Sequence, residues 1–155
     1  MPGQLQQEIK QTKRFASLEQ EASLSIERTA AVFSHAFADA LKPHGITPTQ
    51  YNALRILRGA GERGLCRNEV RERLIAQVPD VTRLLDRLED IGLIARDRDD
   101  TDRRLVNTHI TREGLRLLAR LDEPVTEIHR RHLGHMGPQK LKMLIDLLAA
   151  ARRTG

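Results

Sequence analysis

The chain of 155 residues has one cysteine, Cys66, no tryptophan, one tyrosine and three phenylalanines. A single cysteine excludes an internal disulfide framework and fits a reducing compartment. So few aromatics argue against stacking platforms for single-stranded nucleic acid. No apolar run approaches the ~20 residues of a membrane span, and the opening "MPGQLQQEIKQTKR" has no apolar stretch of the secretory kind. A soluble, cytoplasmic protein without membrane association is expected. Glycine-rich phosphate loops, nucleophile elbows and paired carboxylates in a plausible cleft are missing too, so no enzymatic chemistry and no cofactor is expected.

What is present is charge and amphipathic helix. Charged residues make up 30% of the chain and hydrophobic ones 39%, with a net charge of +5 and arginine supplying 21 of the 26 basic residues. Arginine's planar fork suits phosphates and guanine edges, and it also suits surface ion pairs. The balance permits nucleic-acid binding without demanding it.

The first dozen residues read as a polar arm, ordered only if a partner holds it. From Leu18 to Leu41 apolar residues recur every three or four positions, which predicts one long helix ending before Pro43 and Gly45. "TPTQ" at 47–50 restarts a helix with Thr47 as cap, Pro48 in the first turn and Gln50 completing a capping box. "GAGERG" reads as a loop and Arg67–Leu74 as a short helix with Val70 and Leu74 inward. Pro79 is expected to open a helix that carries Val81, Leu84, Leu85 and Leu88 and stops near Gly92. Two β-like runs follow, Leu93–Arg96 and Leu105–Ile110. Thr111 is expected to cap a helix carrying Leu115, Leu118 and Leu121, bent or split at Pro124. A last helix starts at Gly137–Pro138, with Leu141, Leu144, Ile145, Leu148 and Ala151 on one side.

Between the β-like runs, "RDRDDTDRRL" (96–105) places eight charges in ten positions, four arginines and four aspartates. Helix, short helix, helix and hairpin in this order match a helix-turn-helix with a two-stranded wing, a DNA-reading arrangement. The predicted class is mainly α with a small β-hairpin wing.

"ITPTQYNALRIL", "VTRLLDRLEDIGLIAR", "DRR" and the "IT" plus "G" of "ITREG" fall in order over roughly residues 46–114. On these stretches the sequence resembles the MarR family of bacterial transcription regulators. The resemblance implies a single domain of this type over 1–155. Residues 1–17 would form an arm, 18–46 and 115–155 dimerisation helices, and 47–114 the winged helix-turn-helix. It implies a homodimer that binds a pseudo-palindromic operator on double-stranded DNA. A repressor released by a small aromatic or phenolic effector is the expected type, the effector pocket being unassigned.

On the recognition helix, Thr82 and Arg83 lie opposite the core face and are candidates for a thymine methyl and a guanine edge or phosphate. Gln77, Pro79 and Asp80 stand at the end that would enter the groove, with Arg87 further along. Arg67 and Asn68, opening the short helix, join the candidate set. Similar proteins often open the recognition helix with serines or threonines, whereas "QVPDV" stands here. Asp80 should therefore cap its own helix or accept from a cytosine amino group. A solvated face balanced by Asp86, Glu89 and Asp90 is the alternative role for Arg83 and Arg87. In the wing, aspartates paired with some arginines are expected to fix the loop and leave others free for phosphates or a narrow minor groove. Arg98 and Arg103 are placed at the tip. By resemblance, Asp102 supplies a structural ion pair and Arg104 a DNA contact. The alternative is a solvated hairpin whose charges only prevent edge aggregation.

Two features invite other readings. Cys66 falls in the N-cap region of the short helix, where a thiol can be activated. Redox-sensing relatives, however, carry their cysteine in the first long helix, so capping or packing is the expected role. His129, His132 and His135 are spaced three apart and could be joined by His35 or His44. His135 follows Gly134 at a helix end, and no nearby Cys or acidic pair completes four ligands. No metal is therefore expected, and the histidines are read as lining an interface or effector pocket. A redox- or metal-responsive regulator and a winged helix used only for protein–protein contact remain the alternative functions.

Overall fold

The computed structural model describes residues 1–153. Its helices are α1 (Gln4–Glu8), α2 (Leu18–Leu41), α3 (Pro48–Ala60), α4 (Arg67–Arg73), α5 (Val81–Asp90), α6 (Arg112–Leu133) and α7 (Gly137–Arg152). The strands are β1 (Leu65–Cys66), β2 (Ile94–Arg98) and β3 (Val106–Ile110). Mainly α with a small β wing is the architecture, as the sequence predicts.

Caps account for most helix starts. Ser17 accepts from the Gln20 amide at the head of α2. Thr47 and Gln50 form the reciprocal capping box of α3, each satisfying the other's backbone N–H. The Thr111 hydroxyl accepts from the Gly114 amide and donates to the Gly92 carbonyl at 2.7 Å, which ties the head of α6 to the end of α5. Gly114 is the family-like glycine of "ITREG", and its place in the fold explains it. A Cβ there would lie 2.5 Å from the Leu93 carbonyl and 2.6 Å from Ile110 Cγ1, so only a bare backbone lets α6 leave the sheet this closely.

The core lies under the middle of the chain. Leu54 and Leu57 of α3, Val70 of α4, Val81, Leu85 and Leu88 of α5, Ile94 of β2, and Leu118 and Leu121 of α6 are all buried there. Val81, Leu85 and Leu88 follow an i, i+4, i+7 spacing, which keeps one stripe of α5 inward and leaves the opposite face in water.

Several expectations are corrected. Within the arm, Gln4–Glu8 forms a helical turn in which Leu5 and Gln6 are covered, the Gln6 amide donating to the carbonyls of Gln11 and Lys13. Residues of "GAGERG" form a 3-10 turn, Gly61–Arg63. Pro79 lies outside α5, because Asp80 is the N-cap and Val81 the first helical residue. Leu84 is half-buried and Leu115 exposed, so the inward face of α6 runs through Leu117, Leu118, Leu121 and Val125. Pro124 neither splits nor ends α6, which continues to Leu133. A proline nitrogen has no hydrogen to donate, so the helix forgoes that bond at Pro124. The sheet has three strands rather than two, in the order β1-β3-β2 and antiparallel throughout. Thr108 of the central strand faces Leu65 on one side and Arg96 on the other. The two-residue β1 is too short to show the alternation that identifies a strand.

The outer helices are bare. No residue of α7 is buried, and Met143, Ile145 and Leu147 are 59–65% exposed. On α2 only Leu41 is buried, while Leu18, Ile26 and Val32 face outward.

Candidate nucleic-acid interface

α4, α5 and the β2–β3 hairpin surround an open cleft of about 420 Å³, whose lining includes Cys66, Arg67, Asn68, Thr82, Arg96 and Arg104. Four sequence candidates, Arg67 and Asn68 of the short helix, Thr82 of α5 and Arg104 of the wing, thus line one cleft, whereas Gln77, Pro79, Asp80, Arg83, Arg87, Arg98 and Arg103 are not part of its lining. Arg67 Nη1 donates to Thr82 Oγ1 at 3.0 Å, which fixes α4 against the first turn of α5. Asn68 is exposed beside it and accepts from Arg71. Gln77 and Pro79 are exposed in the α4–α5 connection.

Asp80 caps its own helix. Its carboxylate accepts from the Arg83 amide at 3.0 Å, so its charge is directed to the α5 N-terminus, where the helix dipole favours it. Arg83 and Arg87 are exposed, and among the described residues neither has a carboxylate partner. Two of the three acids expected to balance them, Asp86 and Glu89, are engaged elsewhere, whereas Asp90 is exposed and has no side-chain partner among the described residues. Arg96 of β2 reaches across, with Nη2 2.6 Å from Asp86 Oδ1 and 2.9 Å from Glu89 Oε1 and Nε 3.3 Å from Glu89 Oε2. The hydrogen bonds from Arg96 hold Glu89 below the usual carboxylate range, and those to Glu89 and Asp86 raise the guanidinium.

In the wing the organising aspartate is Asp99, a residue the sequence does not single out among four. Its Oδ1 accepts from the Thr101 hydroxyl and from the amides of Thr101 and Asp102, and its Oδ2 accepts from Asn107 Nδ2 at 2.8 Å. These donors, the Thr101 hydroxyl foremost, hold the carboxyl well below the usual range. Most of its partners are backbone and hydroxyl groups, so to the expected arginine–aspartate pairing, present here as Asp102 with Arg104, the loop adds an aspartate held without any arginine. A signal existed: Asx-type turns favour Asp followed two residues later by a hydroxyl residue, as in Asp99-Asp100-Thr101.

Arg98 is not a free tip residue, since its Nη1 donates to the Arg103 carbonyl at 2.8 Å and laces the hairpin shut. Asp102 accepts from the Arg104 amide at 3.1 Å and lies 3.5 Å from Arg104 Nε, a turn-closing contact with an ion pair added. The Arg104 side chain is 94% exposed, and that of Arg103 is exposed without a side-chain partner among the described residues. At the other end of the hairpin, His109 lies 3.2 Å from Asp97.

Cys66 is the half-buried N-cap residue of α4, and its amide donates to Glu69 Oε1 at 3.2 Å. That hydrogen bond is the main cause of the lowered Glu69 carboxyl. His132 stacks on Phe33 at 4.8 Å and His129 on Phe37 at 6.4 Å, so both face α2. Phe37 in turn meets the buried Tyr51 edge-on. His135 lies in the turn after α6, and His35 pairs with Asp39. Among the described residues no three His, Cys, Asp or Glu side chains converge as a metal site would require.

Residues 46–106 match the model of the MarR family. A MarR transcription factor from Planctomyces limnophilus, solved by crystallography, is 39% identical. The match covers 88% of this chain and 99% of that one, with a TM-score of 0.67. The regulator FarR of Neisseria gonorrhoeae is 31% identical over 113 residues, 73% of this chain and 76% of its own. A mutant MarR from E. coli, crystallised with operator DNA, shares the fold with a TM-score of 0.78 at 22% identity. That match covers 89% of this chain and all of the other. With the winged helix, the capped recognition helix and the "DRR" wing in place, the chain belongs to the MarR family of transcription regulators.

Proposed function

We propose that the protein acts as a homodimer that binds a pseudo-palindromic operator on double-stranded DNA, a cytoplasmic repressor released by a small-molecule effector. In this reading residues 47–114 form the DNA-binding region, 18–46 and 115–155 the dimerisation helices, and 1–17 an arm. α5 enters the major groove and the wing follows the flanking backbone. The observation that carries it is the distribution of free cations. Among the described residues Arg83 and Arg87 on α5 and Arg103 on the wing are exposed without carboxylate partners, and the Arg104 side chain is open to solvent. Of the nearby acids, Asp80 is taken up by its cap, Asp99 and Asp102 by the wing turn, and Asp86 and Glu89 by Arg96. A module built for protein contact has no need of cations on both elements.

The bare apolar faces of α2 and α7 support a second copy as their cover. The aromatic stack of Phe33, Phe37, His129 and His132, beside Tyr51 of α3, supports a flat aromatic effector where the outer helices meet the winged helix. No described helix is long and apolar enough to cross a membrane.

The test is binding to a labelled mixed-sequence duplex across a salt series. Affinity should fall steeply, with log K against log salt sloping by about −0.9 for each phosphate contacted. Salt-insensitive retention or no binding would overturn the proposal. Hydroxybenzoates added to the complex should lower the bound fraction.

A further inference from the structure

The recognition helix carries a charge problem of its own. From Asp80 to Asp90 there are two arginines, Arg83 and Arg87, against four acids, Asp80, Asp86, Glu89 and Asp90. A helix of that composition is repelled by the polyanion it would enter. Asp80 is directed to its own helix end by capping. Asp86 and Glu89 lie three residues apart on one face, and both are met by the single guanidinium of Arg96.

We propose that Arg96 is a positioning residue for DNA binding: its fork masks Asp86 and Glu89, so that among the described residues only Asp90, at the far end of α5, stays an unmasked acid beside Arg83 and Arg87. The inference rests on the reading of α5 and the wing as the DNA-contacting elements. Three observations carry it. The guanidinium makes three hydrogen bonds to the two carboxylates, two of them the paired fork on Glu89. Its side chain is 23% exposed, much less than the 94% of Arg104, so Arg96 is committed to the protein whereas Arg104 is open to a partner. The register places Arg96 opposite Thr108, the buried polar residue of the central strand, so the fork is anchored in the sheet and does not hang from the loop.

Four variants decide the matter: Arg96→Ala, Arg96→Lys, Asp86→Asn with Glu89→Gln, and all of Arg96→Ala, Asp86→Asn and Glu89→Gln together. Each is measured by fluorescence anisotropy on a 40-base-pair mixed-sequence duplex beside the wild type, with circular dichroism to confirm folding. Arg96→Ala should bind about tenfold more weakly, because two carboxylates are unmasked beside phosphate. Arg96→Lys should also bind more weakly than the wild type, since one ammonium cannot reproduce a fork across two carboxylates. The two amides alone should bind at least as tightly as the wild type, and the triple variant should recover most of what Arg96→Ala lost. A triple variant as weak as Arg96→Ala would show that masking the two carboxylates is not what Arg96 contributes, and would overturn the proposal. Wild-type affinity in Arg96→Ala or in Arg96→Lys would overturn it as well. Failure of the wild type to bind would instead remove the DNA-binding reading beneath it, and the comparison separates the two failures.

Discussion

Asp80, the N-cap of α5, and Arg83 in its first turn sit three residues apart and have opposite relations to a duplex. Asp80 spends its carboxylate on the Arg83 amide, so Asp80→Ala should cost about 1 kcal/mol of stability as a lost N-cap. That cost is read from the urea midpoint. Arg83 has a free guanidinium, and Arg83→Ala should cost about 1–3 kcal/mol on the operator and relax preference at one position. Uniform loss across sequences would instead make it a phosphate contact. In the wing, Arg103→Ala should leave the fold intact, weaken binding to every duplex, and make the salt slope shallower by about one contact. Asp102→Ala removes a negative charge near a polyanion, so charge alone predicts tighter binding. Because Asp102 closes the turn through the Arg104 amide and lies beside its Nε, the expected result is weaker binding. Anisotropy at two salt concentrations gives the sign. Asp99 offers a pH test. Its folded carboxyl titrates below the unfolded value, so its contribution is complete above about pH 4 and is lost only as pH falls through the lower folded value. NMR should find the Asp99 carboxyl still ionised well below the usual carboxylate midpoint. A midpoint near 4 would contradict the hydrogen-bond network.

At the level of elements, the tightest joint is where α6 leaves the sheet. Gly114→Ala drives a methyl group into the Leu93 carbonyl and Ile110, and should lower the thermal midpoint by far more than a surface glycine such as Gly59, whose Cβ position is open. The helices were legible because their signals are local. Thr47 and Thr111 announce caps, and α5 repeats its apolar stripe at helical spacing. What escaped is what depends on long-range contact. β1 has two residues and exists only because β3 pairs with it. Pro124 is tolerated because α6 is held by packing on both sides of it, at Leu121 and Val125. Asp99 cannot be ranked above Asp97, Asp100 or Asp102 until the chain turns and brings the Asn107 amide to its carboxylate. The Arg96 fork joins residues ten and seven apart across two element types, a spacing that no helical or strand period reveals.

For the whole molecule, the uncovered stripes of α2 and α7 predict a dimer, and light scattering at micromolar concentration should give twice the chain mass of 17.6 kDa. A folded monomer would leave the exposed Met143, Ile145 and Leu147 without a role. A dimer would present two α5 helices related by a twofold axis, and this symmetry must appear in the DNA it selects. The most direct test of the account is therefore selection from random-sequence duplexes with the purified wild-type protein, followed by sequencing of the bound pool. The account predicts enrichment of an inverted repeat whose half-sites are about one helical turn, roughly 10 base pairs, apart. A pool with no enriched sequence, or with a single asymmetric site, would contradict it.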